Sequence, residues 1–418
     1  MINFKDPQKV LAETSLVNDF LALVRFDTQS DESSETSPST AKQLPALEWV
    51  KKRLIALGLK DAAIDENGYL FASLAGKAPS APPIGLIAHI DTSPDFPGAN
   101  VNPLIHENYR GNEIVLKNGW VISKDDTPEL KECIGDTIIT ADGNTLLGAD
   151  DKAGVAEILA TLELITKNSD IKHPEIRVGI TPDEEIGRGA AKFDIGRFGA
   201  KYAYTLDGGF TGEINSETFS ADSAKVKITG ASVHPGTAKG RLVNAIKYAA
   251  RFVEMLPENE SPETTEKREG FYHPVKIEGM VAEATVSLIL RDFDTQKLKE
   301  RGEFVKKLAE KLKRSAPHLK IEVEITESYR NMAEWLKEEP RVTELLAKAV
   351  ELAGIKPNLA PIRGGTDGSV LTARGLPTPN IFAGGMNFHG PKEWVSTRVM
   401  ALSVCTALNL LQLWAEER

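Results

Sequence analysis

The amino-acid sequence predicts an α/β protein: a larger domain with a mainly parallel, mixed sheet flanked by helices, interrupted by an inserted α+β domain of ferredoxin-like order. Three observations carry this. Short apolar runs alternate with helical stretches between 84 and 206, the texture of strands joined by crossover helices. From about residue 218 the order becomes strand, helix, strand, strand, helix, strand, the split unit of a small two-layer domain. After residue 330 the α/β texture returns. The predicted boundaries are therefore 1–217 and 331–418 for the two parts of the larger domain, and 218–330 for the insertion.

In chain order, Val10, Leu11, Leu16, Val17, Phe20, Leu21 and Val24 recur at helical spacing and predict a helix over 7–27. Ser30–Thr40 is rich in Ser, Thr, Asp and Glu and reads as an exposed loop. A second helix is expected over 44–58. Ile84–Ile90 is a buried-strand run. Lys152–Lys167 reads as an amphipathic helix with Val155, Ile158, Leu159, Leu162 and Ile165 inward, and Ile176–Thr181 and Ala203–Leu206 as short strands. In the insertion, strands are expected at Ala224–Thr229, Val275–Ile277, Ala284–Leu290 and Leu319–Ile325. Helices are expected at Leu242–Leu256 and Thr295–Arg314. Two further helices, 340–354 and 396–416, complete the larger domain.

A chain of 418 residues, 41% hydrophobic and 26% charged, has core enough to need no disulfide or metal staple. Any metal it binds is expected to serve chemistry. The net charge of −10 argues against nucleic acid as a partner, which would call for a basic face. A local basic pocket for a small charged substrate remains compatible with it. Cys133 and Cys405 are too few for a disulfide framework or a thiolate cluster. The N-terminal residues lack a basic segment followed by an apolar run. No uninterrupted apolar stretch approaches ~18 residues, so no membrane span is expected. The cytoplasm is the default compartment.

Five segments place polar residues where apolar strands end. His89 and Asp91 stand two apart on a strand and share a face; a carboxylate there can orient an imidazole bound to a metal. Asp150 and Asp151 open a helix, where they can equally be caps. Asp183, Glu184 and Glu185 follow a buried strand directly, at the edge where open α/β sheets bind ligands. Asp207 precedes Gly208-Gly209, and His389 lies in Asn387-Phe-His-Gly. Histidine and carboxylate without thiolate suit zinc, cobalt or manganese in a catalytic setting.

Several stretches are specific enough to name a family: His-Ile-Asp-Thr-Ser-Pro-Asp at 89–95, Thr-Leu-Leu-Gly-Ala-Asp-Asp-Lys-Ala-Gly at 145–154, Thr-Pro-Asp-Glu-Glu at 181–185, His-Pro-Gly-Thr-Ala-Lys-Gly at 234–240 and Ile-Arg-Gly-Gly-Thr-Asp-Gly at 362–368. Over nearly its whole length the chain resembles the co-catalytic zinc exopeptidases related to carboxypeptidase G2 and aminoacylase. The resemblance implies a catalytic domain holding two zinc ions per subunit: His89, Asp150 and Asp207 around one, and Asp150, Glu185 and His389 around the other, with Asp150 as the bridge. It further implies Asp91 as the group orienting His89, Glu184 as general base, and the insertion as a lid or dimerisation domain, which leaves both a monomer and a homodimer open. The implied reaction is removal of the first residue of a tripeptide. A dipeptidase or an N-acyl amino acid amidohydrolase built on the same two-metal site is the competing expectation. The oxyanion calls for a further donor, and His234 is the candidate. For the carboxylate end of a short peptide the candidates are Arg363 and Arg291, because a guanidinium matches a carboxylate with two parallel bonds.

Overall fold

The computed structural model describes residues 1–417 and divides into two compact units. The first comprises Met1–Ser216, Trp335–Ala360 and the chain from Thr366 onward; the second comprises Glu217–Glu334 and Pro361–Gly365.

The first unit is built on a mixed sheet of eight strands, in the order Ala63–Ile64, Leu70–Leu74, Ile176–Thr181, Ile84–His89, Tyr202–Gly208, Asn380–Phe382, Glu213–Asn215 and Asn358–Leu359. Its centre is parallel: Ile84–His89 runs alongside both Ile176–Thr181 and Tyr202–Gly208, and Asn380–Phe382 extends the set. Every residue of Ile84–His89 is buried, as expected of a parallel strand covered on both faces. Parallel neighbours put their carboxyl ends on one edge of the sheet, and that edge gathers the polar residues described below.

The helix predicted over 7–27 is two helices, Pro7–Glu13 and Leu16–Leu23. Thr14 breaks it. Its hydroxyl donates to Val10 O at 2.7 Å and accepts from Leu16 N, while Ser15 N turns away to donate to Glu163 Oε2 at 2.9 Å. Apolar periodicity continues through this corner because both helices pack against the same core. The helix Ala149–Lys167 also departs from the prediction, being buried on nearly every side rather than one. The helices Leu16–Leu23 and Thr397–Glu416 cover what the sheet does not. Glu157, at its middle, accepts from Ser403 Oγ at 2.6 Å.

A small antiparallel sheet in this unit escapes sequence reading. It joins Leu104–His106, Ile138–Thr140, Trp394–Ser396 and Gly385–Met386, strands too short to show a period. Thr397–Glu416 is, among the described residues, the single helix long and apolar enough to cross a membrane; 89% of its most apolar window is buried inside the fold, so it is a core helix.

The second unit follows the β-α-β-β-α-β order: Ser220–Thr229, Ala245–Glu254, Phe271–Gly279, Glu283–Asp292, Thr295–Lys313 and Lys320–Tyr329. Its four strands form an antiparallel sheet with Ser220–Thr229 between Glu283–Asp292 and Lys320–Tyr329. Burial alternates along Ser220–Thr229, with Val226 and Ile228 inward and Lys225 and Lys227 exposed, the signature of a sheet with one face wet. Pro361–Gly365, expected in the larger domain, joins this unit instead. Phe219 N donates to Ile362 O at 3.1 Å. The Arg363 guanidinium lies over the rings of Phe219 and Phe271, with centroids 5.1 and 5.7 Å away.

Candidate metal centre

The polar edge of the first unit is built from strand ends and the turns that follow them. His89 is the last residue of Ile84–His89. Asp150 lies in the first turn of Ala149–Lys167, where its backbone (φ −83°, ψ 106°) is not helical; the Asp150–Asp151 peptide is cis. Glu184 and Glu185 form the 3₁₀ turn that follows Ile176–Thr181, and Asp207 ends the apolar part of Tyr202–Gly208. His389 sits in the loop between Gly385–Met386 and Trp394–Ser396, with φ 62°.

These residues converge. Asp150 turns one oxygen to each imidazole: Oδ1 is 2.9 Å from His89 Nε2, and Oδ2 is 3.5 Å from His389 Nε2. Asp207 Oδ1 lies 3.7 Å from His89 Nε2, on the first side. Glu185 Oε2 lies 2.7 Å from His389 Nε2, on the second. A carboxylate with its two oxygens divided between two histidine–carboxylate pairs is the geometry of a bridging ligand.

Asp151 also offers an oxygen within 4.8 Å of donors from His89 and Asp207. Its two oxygens, however, already accept the backbone N–H groups of Gly154 (3.1 Å) and His89 (3.2 Å). Asp150, with both oxygens turned to imidazoles, is the better bridge.

Asp91 is fully buried and holds three things at once. Its Oδ1 is 3.3 Å from His89 Nδ1 and accepts from Glu184 N at 2.9 Å; its Oδ2 accepts from Glu185 N at 3.2 Å. Its place two residues after His89 predicts only the contact with the imidazole. Asp183 completes the support. It adopts φ 61°, a conformation uncommon outside glycine. The chain holds it there through Ser39 N (2.7 Å), Ser39 Oγ (2.5 Å) and Gln43 Nε2 (2.7 Å), all donating to its carboxylate. The Ser-rich loop is thus partly a buckle for the acidic turn. Because Asp91 serves both the imidazole and the turn, Asp91→Asn places an amide against an N–H donor. It is expected to weaken metal affinity and kcat/KM by about 10–100-fold, as read by metal titration and steady-state kinetics.

Electrostatics single out the same residues. Burial disfavours a charged His89, but hydrogen bonds to Asp150, Asp207 and Asp91 lift its pKa well above the usual value. His389 is lifted to about 11 by its bonds to Asp150 and Glu185. Burial, and then the charge of Asp150, pushes Glu185 up to about 8. Burial raises Asp207 to about 6. Burial together with Asp207 raises Glu184 and Asp151 well above the carboxylate range. Crowded, dehydrated carboxylates of one sign gain most from a multivalent cation. The donors are imidazole nitrogen and carboxylate oxygen, and both cysteines are buried and unpaired. This set fits a pair of zinc-class ions.

Some contributors carry no sequence signal. Glu393, in Lys-Glu-Trp, reads as an ordinary surface charge, yet it is buried beside the Asp150 turn. Asp367 follows no apolar strand run and so has no strand-end contrast in the sequence. It is buried, accepts from Thr181 Oγ1 at 2.7 Å, and is pushed up to about 7 by burial.

The remaining candidates belong to the second unit. His234 is exposed and caps the turn Pro235–Thr237, its Nδ1 accepting from Gly236 N at 3.1 Å. Arg291 Nη1 donates to Arg363 O at 2.9 Å. Arg363 Nη1 donates to Lys267 O and Glu269 O, and Nη2 to Thr265 O and Thr265 Oγ1. Both ends of its fork are therefore engaged by the segment 265–269. In this arrangement Arg363 pins the segment 265–269 within the second unit.

Residues 216–319 match the family model of a peptidase dimerisation domain. The chain is 45% identical to peptidase T of Geobacillus sp. (strain WCH70) over 97% of this chain and all of that one. It is 47% identical to peptidase T of Clostridium botulinum (strain 657 / Type Ba4) over 95% and 98% of the two chains. Among solved structures it resembles a tripeptidase from Staphylococcus aureus (TM-score 0.76, 24% identity, 97% and 99% covered). It also resembles a Bacillus subtilis protein described as a dinuclear metal binding peptidase from the M20 family (TM-score 0.62, 14% identity, 96% and 100% covered).

Proposed function

The chain belongs to the peptidase T family of M20 peptidases, and from that membership we propose that it is an aminopeptidase that releases the N-terminal residue of tripeptides at a two-zinc centre. The observation that carries the reading is the Asp150 carboxylate, one oxygen toward His89 and the other toward His389.

His89, Asp150 and Asp207 would hold one ion, and Asp150, Glu185 and His389 the other. Such a pair, when bound, supplies Lewis acidity that makes a water nucleophilic and polarises a peptide carbonyl. The chain's own residues do the rest. Asp91 keeps the His89 ring in one tautomer, Nε2 outward, and holds the backbone of Glu184. Glu184 takes the proton of the attacking water and gives it to the leaving amine nitrogen. Enclosure by buried side chains on the protein side strengthens each of these interactions.

The second unit we assign to pairing with another copy of this chain, on the strength of the dimerisation domain matched at 216–319. Two buried, unpaired cysteines suit a reducing compartment, and we place the enzyme in the cytoplasm.

The test is hydrolysis of a tripeptide followed by mass spectrometry. Release of the first amino acid and the remaining dipeptide is expected, abolished by a chelator and restored by Zn²⁺. A free amino terminus should be required. Cleavage of N-acyl amino acids in place of tripeptides would transfer the same centre to an amidohydrolase.

A further inference from the structure

Four consecutive backbone N–H groups converge on one buried carboxylate. Leu147 and Gly148 donate to Oε2 of Glu393 at 2.7 and 2.8 Å; Ala149 and Asp150 donate to Oε1 at 2.7 and 3.2 Å. Glu393 is 1% exposed. A concave run of N–H groups at the start of a helix binds anions, and here the anion is a side chain from far along the chain. Gly148 makes the concavity feasible. It adopts φ 78°, and a Cβ there would stand 3.1 Å from Thr92 Cγ2.

Both ends of this strut carry a candidate ligand. Asp150 is itself the fourth donor, so its backbone is fixed by the bond to Glu393 while its side chain faces the two imidazoles. His389 stands four residues before Glu393, on the same loop. Trp394, immediately after Glu393, is fully buried in a strand paired with Ile138–Thr140. That anchors Glu393 on its far side. The carboxylate therefore ties the turn that presents Asp150 to the loop that presents His389.

We propose that Glu393 is a positioning residue for the metal pair, setting the separation and aim of Asp150 and His389 without touching an ion or the peptide. The inference rests on the reading of those two residues as ligands. A side chain that served the fold alone would lower stability when changed and leave metal binding intact. A positioning residue alters affinity and ligand field in a chain that is still folded.

The experiment uses the full chain, freed of metal with a chelator and titrated with Co²⁺, following stoichiometry, affinity and the visible absorption bands. Circular dichroism and the Tm of the metal-free protein are recorded alongside. Glu393→Gln turns an amide toward N–H groups that need an acceptor. Glu393→Asp keeps the charge and draws it back by one methylene. Folded Glu393→Gln with Co²⁺ affinity at least about 10-fold weaker and displaced bands is the expected result, with Glu393→Asp intermediate. Wild-type affinity and bands in folded Glu393→Gln, whatever its Tm, would overturn the proposal. So would failure of both variants to fold, which would assign Glu393 to the fold. If the unaltered chain took up no Co²⁺, the metal centre itself would be the reading that failed.

Discussion

Glu184→Gln is expected to lower kcat for tripeptide hydrolysis by about 10²–10⁴-fold, with KM nearly unchanged and two metal ions still bound per chain. The expectation follows from how the residue is held. Its backbone N–H donates to Asp91 Oδ1, and glutamine keeps that bond. Among the described residues no hydrogen bond within the chain claims its carboxylate, so no side chain competes with a water for it. Glutamine fills the same volume and cannot take one. Steady-state kinetics with metal analysis of the same preparation checks this. Loss of metal along with activity would make Glu184 a ligand and not the base.

The second large effect is expected at the bridge. Asp150→Ala removes the one carboxylate shared by both histidine–carboxylate pairs, leaving His89 with Asp207 and His389 with Glu185. Metal content is expected to fall below two ions per chain. Activity is expected to fall at least about 10³-fold, the scale on which several kcal/mol of metal assistance is lost. Elemental analysis and kcat/KM measure the two arms. Against the cost of burial, His389 and His89 hold the Asp150 carboxyl well below the usual carboxylate range. The carboxylate therefore stabilises the metal-free fold above its unfolded pKa, and the metal-free variant is expected to show a lower Tm than the parent near neutral pH. Unaltered metal content would pass the bridging role to Asp151.

Fold and site are most legible in the sequence where chemistry and secondary structure share a signal. Strands such as Ile84–His89 and Ile176–Thr181 show as apolar runs, and the acids and histidines at their ends stand out by contrast. The split order of the insertion is readable because its strands and helices are long; the observed Thr295–Lys313 differs from the predicted helix by one residue. What the sequence hid depends on contacts made late in the chain. Glu393 looks like a surface charge because its partners are backbone N–H groups, which no residue type announces. Asp183 looks like one of three solvated acids, yet Ser39 and Gln43 bind it. Three-residue strands such as Ile138–Thr140 carry no period at all. The double helix at 7–23 hides behind continuous apolar spacing, since the break is made by the Thr14 hydroxyl and by Glu163, far away in sequence. Arg363 likewise has a setting made by distant contacts. It follows an isoleucine and precedes two glycines, which suggests an accessible fork, but the aromatic bed and carbonyls that engage it lie elsewhere in the sequence.

The interrupted layout of the first unit has a consequence for the ribosome. The second unit has nearly all of its residues by Glu334, so it can fold while synthesis continues. The first unit cannot. The helix Ala149–Lys167 has one side left bare until Thr397–Glu416 emerges, and the nascent chain must keep that apolar surface from aggregating in the meantime. His389 and Glu393 arrive equally late. A chain stalled before them holds Asp150 and Glu185 without the imidazole that both approach, so on the ligand set proposed above it lacks a complete centre. Competence to cut and completion of the core come due in the same stretch of translation.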